Sequence, residues 1–316
     1  MKRIFFLFAC CFCITYFCAA QQTVKCAVFP ENPQPGETVT VAVLGEASHA
    51  VLLANGKVKS KTKFFTVPAD NGKPDFLAAV FIIPADIIPV NTVIRIENNG
   101  VTAGEISMQI RERQFESEVI HLNQELTDLR TVPDPQKTSE SNKLWSIITA
   151  VGKDIYHYNA FILPVSSTRR TSQYGARRVF QYSNGSSDVA VHAGVDFGVP
   201  AGTQVISCGA GKVILARYRI VTGNSVIIEH LPGVYSLYYH LDKINVQEET
   251  YVQTGALLGL SGSTGLATGP HLHWEIRVNG ENADPDAFTT RHILDKSLIF
   301  SKFDLKPDRK DARLVK

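Results

Sequence analysis

The chain has 316 residues, a formal net charge of +2 and a hydrophobic content of 44%. That length allows two domains with connections, each long enough to bury its own core. A near-neutral balance without a long basic run leaves no electrostatic footprint for nucleic acid or a membrane surface, so no nucleic-acid partner is expected.

Residues 1–20 open with Met-Lys-Arg, continue in a nearly unbroken apolar run from Ile4 to Phe17, and close on small residues around Ala19 and Ala20. A basic start, a short apolar stretch and small residues before a cut describe a secretory signal peptide, with cleavage expected after Ala20. The run is short for a membrane span of about 20 residues. The protein is therefore expected to be exported. Of six cysteines, Cys10, Cys11, Cys13 and Cys18 fall in this segment. Cys26 and Cys208 remain, far apart, and are expected to be free thiols.

Residues 21–112 alternate apolar and polar in short runs, such as Thr-Val-Thr-Val-Ala-Val-Leu at 38–44 and Thr-Val-Ile-Arg-Ile at 92–96. Turn pairs such as Asn55-Gly56 and Asn99-Gly100 separate them. This spacing predicts a small, immunoglobulin-like β-sandwich. In the next segment, 113–160, the period changes. Phe115, Val119, Leu122, Leu126 and Leu129 recur at three- and four-residue steps and predict one face of an amphipathic helix. Val-Pro-Asp-Pro at 132–135 ends it, and Asp134 is placed to cap a second helix with Pro135 in its first turn. That helix would carry Leu144, Trp145, Ile148 and Val151 on its apolar side. This helical linker is either a spacer or lid over a catalytic groove, or a helix pair packed on one of the domains.

Residues 161–290 return to short strands punctuated by glycines, an all-β, mostly antiparallel pattern. Here the chemistry concentrates. Pro-His-Leu-His-Trp-Glu-Ile-Arg at 270–277 puts His271 and His273 on one face of a strand. Val-His-Ala-Gly-Val-Asp at 191–196 supplies His192 and Asp196, an even number apart. Two histidines and one carboxylate make a ligand set for a catalytic zinc with an open fourth position. Strand periodicity does not choose between His271 and His273. His240 adds another histidine, in Tyr-Tyr-His-Leu at the end of an alternating run.

The order His-x-x-x-Asp, Tyr-x-His-Leu and Gly-Ser-Thr-Gly-x-x-Thr-Gly-Pro-His-Leu-His-Trp-Glu resembles the lysostaphin-type (LytM-like) zinc metallopeptidases, over roughly residues 161–288. The resemblance implies a core sheet whose loops wall a narrow groove. It implies one Zn2+ per chain on His192, Asp196 and His273, with His240 and His271 as catalytic histidines that do not bind metal. Zinc acidifies a bound water to a pKa of roughly 7, and histidine suits the accompanying proton transfers. One of His240 and His271 would take the proton from that water. The other would stabilise the oxyanion or protonate the leaving amine. The implied activity is endopeptidase cleavage of peptide cross-links or stem peptides in bacterial peptidoglycan, in the periplasm or cell envelope. A non-hydrolytic module that activates other cell-wall hydrolases is the alternative, and it has no need of bound zinc.

Three neighbours extend this expectation. Glu275 shares the face of His271 and His273 and would orient one of them or form a surface ion pair. Tyr182, in a polar loop, is a candidate oxyanion donor. His230 reads as structural. Residues 291–316 are expected to be a C-terminal tail, flexible from Lys306 onward.

Overall fold

The computed structural model describes residues 24–68, 72–88 and 90–303, so the expected signal peptide and residues 304–316 lie outside the described residues. No helix among the described residues is long and apolar enough to cross a membrane. The N-terminal strands are β1 (Lys25–Phe29), β2 (Thr38–Leu44), β3 (His49–Ala54), β4 (Lys57–Lys63), β5 (Phe65–Val67), β6 (Phe76–Ile82), β7 (Thr92–Asn98) and β8 (Val101–Met108). They build two four-stranded antiparallel sheets, β1-β2-β6-β5 and β4-β3-β7-β8. Asn55 and Gly56 both take positive φ, 49° and 72°, as do Asn99 and Gly100, 49° and 83°. Two consecutive left-handed residues are what a tight hairpin requires, and Asn-Gly adopts them at little cost.

β9 (Ser117–His121), α1 (Gln124–Thr131) and α2 (Pro135–Ile148) follow. The single helix expected from Phe115 to Leu129 is therefore split. The β-branched pair Val119-Ile120 favours a strand, and Asn123 starts the helix by accepting from Leu126 N–H at 2.9 Å. Asp134 caps α2 as expected, with Oδ1 2.6 Å from Gln136 N and Pro135 in the first turn. The buried side of α2 is Leu144, Ile147 and Ile148, packed on Leu215, Ile227 and Leu237. Trp145, expected on that side, is 59% exposed.

The second half comprises β10 (Arg170–Ser172), β11 (Arg177–Gln181), β12 (Ser187–Val191), β13 (Val195–Phe197), β14 (Gln204–Ile206), β15 (Gly211–Arg219), β16 (Gly223–Leu231), β17 (Val234–Ile244), β18 (Tyr251–Val252), β19 (Leu257–Ser261), β20 (Leu272–Val278), β21 (Glu281–Ala283), α3 (Pro285–Thr290) and α4 (Lys296–Lys302). A ten-stranded sheet follows the path β10-β13-β20-β17-β16-β15-β18, with β14, β19 and β21 attached. β12, β11 and β9 make a separate three-stranded sheet, in which β9 runs parallel to β11.

The two halves share a core. Val39, Val41, Val43, Ala79 and Phe81 face the other sandwich sheet, while Ala42, Phe76, Ala78, Val80 and Ile82 face the C-terminal half. With both faces covered, β6 reads as a nearly continuous apolar run, and the threonines of β2, Thr38 and Thr40, are buried. The expected tail is corrected here: α4 is capped by Asp295, whose Oδ1 accepts from Leu298 N at 2.9 Å, and it buries Ile299 and Phe300. Phe300 meets Phe76 edge-on at 5.5 Å. Ile293, Leu294, Ile299, Phe300 and Phe303 supply the apolar side that holds this segment down.

Cys26 and Cys208 are free. Cys208 belongs to a buried polar group around His230. His230 Nδ1 donates to Ala210 O at 2.7 Å, and its Nε2 lies 2.7 Å from Ser236 Oγ. Tyr238 OH, 3.0 Å from that Oγ, accepts from Cys208 N–H at 2.9 Å. Burial pushes His230 down to about 3, against about 6.5 when unfolded. The lowered pKa means that this stability is complete above about 6.5 and is lost as the pH falls toward 3. We expect wild type to lose about 2 kcal/mol more than His230→Asn between pH 7 and pH 5. Urea unfolding at the two pH values measures this, and equal losses would remove His230 as the acid-sensitive group.

Candidate metal centre

Asp196 on β13 stands directly opposite His273 on β20, so both side chains leave the same face. His192 follows the end of β12, and the chain turns through Ala193 and Gly194 before β13 begins. The even spacing of His192 and Asp196 thus brings them together through a turn, not along one strand. Gly194 is pressed against β20: a Cβ there would fall 2.1 Å from Trp274 O.

The result is a convergence of three donor atoms. His273 Nδ1 is 2.7 Å from Asp196 Oδ1 and 3.1 Å from His192 Nε2, and the latter is 3.2 Å from Asp196 Oδ1. Ligands about 2.0–2.2 Å from a tetrahedral zinc stand roughly 3.3 Å from one another, so these atoms need only a small outward shift to hold it. Their other atoms are engaged elsewhere. His192 Nδ1 donates to Gln173 O at 2.7 Å, and His273 Nε2 donates to Glu275 Oε1 at 2.9 Å. Asp196 Oδ2 accepts from Arg178 Nη2 at 2.6 Å. In its neutral form each imidazole therefore has a lone pair for the shared point. His192, Asp196 and His273 could together bind a metal ion.

His240 and His271 stand beside this point. The alternation of β17 would send His240 to the side opposite Tyr239. A bulge prevents it: Val226 pairs with Tyr238 and Asn224 with Leu241, so Tyr239 and His240 together face one residue of β16. His240 takes φ +60° to make the bulge. Both residues then enter the cleft, with Tyr239 stacked on His273 at 5.5 Å and 4° and His240 4.7 Å from His271 between ring centroids. His240 Nδ1 donates to Thr264 O at 2.7 Å, and His271 Nδ1 donates to Gly269 O at 2.8 Å. Both Nε2 atoms keep a lone pair, and that of His271 lies 3.9 Å from Asp196 Oδ1.

The electrostatics separate these histidines. Burial, reinforced by His271 and His273, pushes His240 down to about 3. Burial also lowers His271 and His192, so all three are neutral at pH 7. For His273 burial again opposes charge, but Asp196 and Glu275 flank its two nitrogens and raise it to about 9. Glu275 is no surface ion pair: it is buried, with Oε2 accepting from Arg277 Nε at 2.7 Å.

These groups line a cleft of about 290 Å³ that also takes in Ile120, Leu122, Leu126 and Arg130 from the β9–α1 segment. The two readings of the linker divide between its helices, since α1 borders the cleft and α2 packs on the sheet. Arg130 stacks 3.9 Å over the Phe180 ring and donates through Nη2 to both oxygens of Asp188 at 3.1 Å. Its Nε donates to Tyr182 OH at 3.0 Å. Tyr182 is therefore tied to α1 and is not among the cleft residues, contrary to the expectation of an oxyanion donor. A larger cavity, about 860 Å³, lies in the sandwich, but none of its lining residues is a histidine. The chemistry is at the smaller one.

A buried His-Asp-His donor set beside two neutral histidines, in a cleft on an antiparallel sheet, could hold a metal ion with proton-transfer groups next to it. Residues 190–285 match the model of Peptidase family M23, in line with the resemblance to lysostaphin-type enzymes. The chain is 42% identical over 118 residues to the peptidoglycan DD-endopeptidase ShyA of Vibrio cholerae, covering 37% of this chain and 27% of ShyA. The DD-carboxypeptidase/endopeptidase Mpg of Neisseria meningitidis is 41% identical over 95 residues, 30% of this chain and 22% of Mpg. The matches thus span about a quarter of the length of these relatives. A Pseudomonas aeruginosa crystal structure assigned to peptidase M23 shares the fold, with a TM-score of 0.57 and 24% identity over 81% of this chain and 94% of its own.

Gly194→Ala tests the close approach of the ligand loop to β20. The added methyl cannot fit without moving β20 backbone, so we expect a loss of about 1–3 kcal/mol and a lower zinc content after dialysis. Urea unfolding in chelator and metal analysis read the two effects. Wild-type values for both would show that the loop moves freely.

Proposed function

We propose that the protein is an exported zinc metalloendopeptidase that hydrolyses peptide cross-links or stem peptides of bacterial peptidoglycan. The observation that carries this reading is the convergence of His192 Nε2, Asp196 Oδ1 and His273 Nδ1 within 3.2 Å of one another, beside the two free Nε2 atoms of His240 and His271. The identity with relatives named for peptidoglycan endopeptidase activity supports the substrate class. A binding module that only activates other hydrolases would not need this set.

Zinc held by the three donors would supply an acidified water and a Lewis acid toward the scissile carbonyl. The chain's own residues handle the protons. His240 and His271 are neutral, with Nδ1–H fixed on a carbonyl, so either can accept a proton only at the Nε2 that faces the cleft. Their rings are 4.7 Å apart, so a charge on one opposes a charge on the other and a single proton is carried at a time. The depressed pKa makes the resulting imidazolium a ready donor to the leaving amine. Thr264 and Gly269 carbonyls keep both rings oriented throughout.

The test is mass spectrometry of fragments released from purified peptidoglycan by the zinc-loaded chain, with and without chelator. We expect chelator-sensitive release of uncross-linked stem peptides. No release by a chain carrying one zinc would overturn the hydrolytic reading. His240→Ala should retain zinc and lose at least about 100-fold in rate; full activity would remove the proton-transfer role from His240.

A further inference from the structure

We propose that Glu118, on β9 and outside the segment matched to the peptidase family, is a positioning residue for the metal-binding side chains His192 and Asp196. It touches neither of them. It sits two hydrogen bonds from each, behind Ser172 and Arg178, and the chain of contacts is unbroken.

His192 Nδ1 lies 3.0 Å from Ser172 Oγ, and this hydroxyl donates to Glu118 Oε1 at 2.7 Å. The same Oε1 accepts from Arg178 Nε, and Arg178 Nη2 donates to Asp196 Oδ2 at 2.6 Å. The path from His192 through Ser172, Glu118 and Arg178 to Asp196 therefore begins and ends on candidate ligands. Both long side chains are largely sequestered, with Arg178 14% and Glu118 28% exposed, so solvent does not replace these partners freely.

The charges explain why Glu118 is needed. Arg178 is a cation within reach of the carboxylate that would bind the metal. Held at Nε by Glu118, its guanidinium presents Nη2 to the outer oxygen, Oδ2, and leaves Oδ1 for the shared point. Without Glu118 the fork is released at one end, and Ser172 loses the acceptor that orients its hydroxyl beside His192 Nδ1. Groups hydrogen-bonded directly to a ligand set its orientation and basicity, and removing one typically lowers metal affinity 10–100-fold; here those groups are Ser172 and Arg178, and Glu118 holds both.

A role confined to pinning β9 is the competing explanation, and the strand pairing separates the two. β9 pairs with β11 along its whole length, from Ser117 with Arg177 to His121 with Gln181, so the attachment of the strand does not depend on one side chain. Val119 lies on the opposite face, 54% exposed, and serves as the control.

The inference rests on the metal assignment above, and the experiment distinguishes the two. Zinc is titrated into the metal-free chain from Gln21 onward against a chromophoric chelator, for wild type, Glu118→Ala, Glu118→Gln and Val119→Ala. We expect Glu118→Ala to weaken zinc binding about 10-fold, the low end of the effect of losing a direct partner, Glu118→Gln to lose less because it keeps an acceptor for Ser172, and Val119→Ala to match wild type. The metal-free unfolding transitions of Glu118→Ala and Val119→Ala should coincide. Zinc affinity of Glu118→Ala within twofold of wild type overturns the proposal. So does a weakening matched by an equal loss of metal-free stability, which would make Glu118 a strand pin. Absence of zinc binding by wild type would instead sink the metal assignment itself.

Discussion

The rest of the structure depends on keeping three electron-rich atoms about 3 Å apart inside a buried pocket. Lone pairs so close repel unless a cation or proton sits between them, and burial removes the water that would otherwise relieve them. The protein holds the arrangement from behind. Gln173, Glu275 and Arg178 occupy the outward atoms of His192, His273 and Asp196, so that rotation of any ligand would cost a hydrogen bond. The pKa of His273, raised to about 9, expresses the same constraint: between Asp196 and Glu275, that ring attracts a positive charge.

The sandwich braces this centre from below. Sheet β1-β2-β6-β5 is covered on both faces, one by its partner sheet and one by the C-terminal half. β20, which carries His271's neighbour Leu272 and the candidate ligand His273, runs directly into this contact. Just past its end Asn279 Nδ2 donates to Thr62 Oγ1 and to Val80 O, both at 2.9 Å. Asp284 N–H donates to Gly36 O at 2.8 Å, and Arg113 pairs with Asp284 at 2.7 Å. The strand that carries a candidate ligand is thus fixed at its far end to a second folded unit. A lever of this kind limits how far His273 can drift when the cleft fills.

The sequence was legible where local pattern and local chemistry coincide. The strands of the sandwich, the Asn-Gly turns and the Asp134-Pro135 helix start all follow from nearest-neighbour preferences. The candidate site was legible because its five histidine and aspartate positions lie in three short motifs. The misses are tertiary. Val119, Leu122 and Leu126 fit a helical period, yet β9 pairs with β11 from Ser117 to His121, and a single-chain period does not reveal that neighbour. The segment 291–303 looked like a tail because its apolar residues acquire a purpose only against Phe76 and its neighbours. Glu118 lies in no motif, since its partner Arg178 is 60 residues away. Tyr182 lies in a polar loop whose sequence does not reveal that Arg130 of α1 captures its hydroxyl.

The bulge in β17 has a consequence for how this domain can vary. Tyr239 and His240 reach the cleft together only because one extra residue is accommodated opposite β16, and the alternation of a strand is otherwise rigid. Information about the site is therefore stored in the length of the chain between the hairpin at Gly233 and the bulge, independently of the side chains along it. Substitutions there change packing by degrees. Loss or gain of one residue would exchange the two faces at once, turning Tyr239 toward the core and Tyr238 toward the cleft. Among descendants of this chain, that interval should vary in composition while keeping its count.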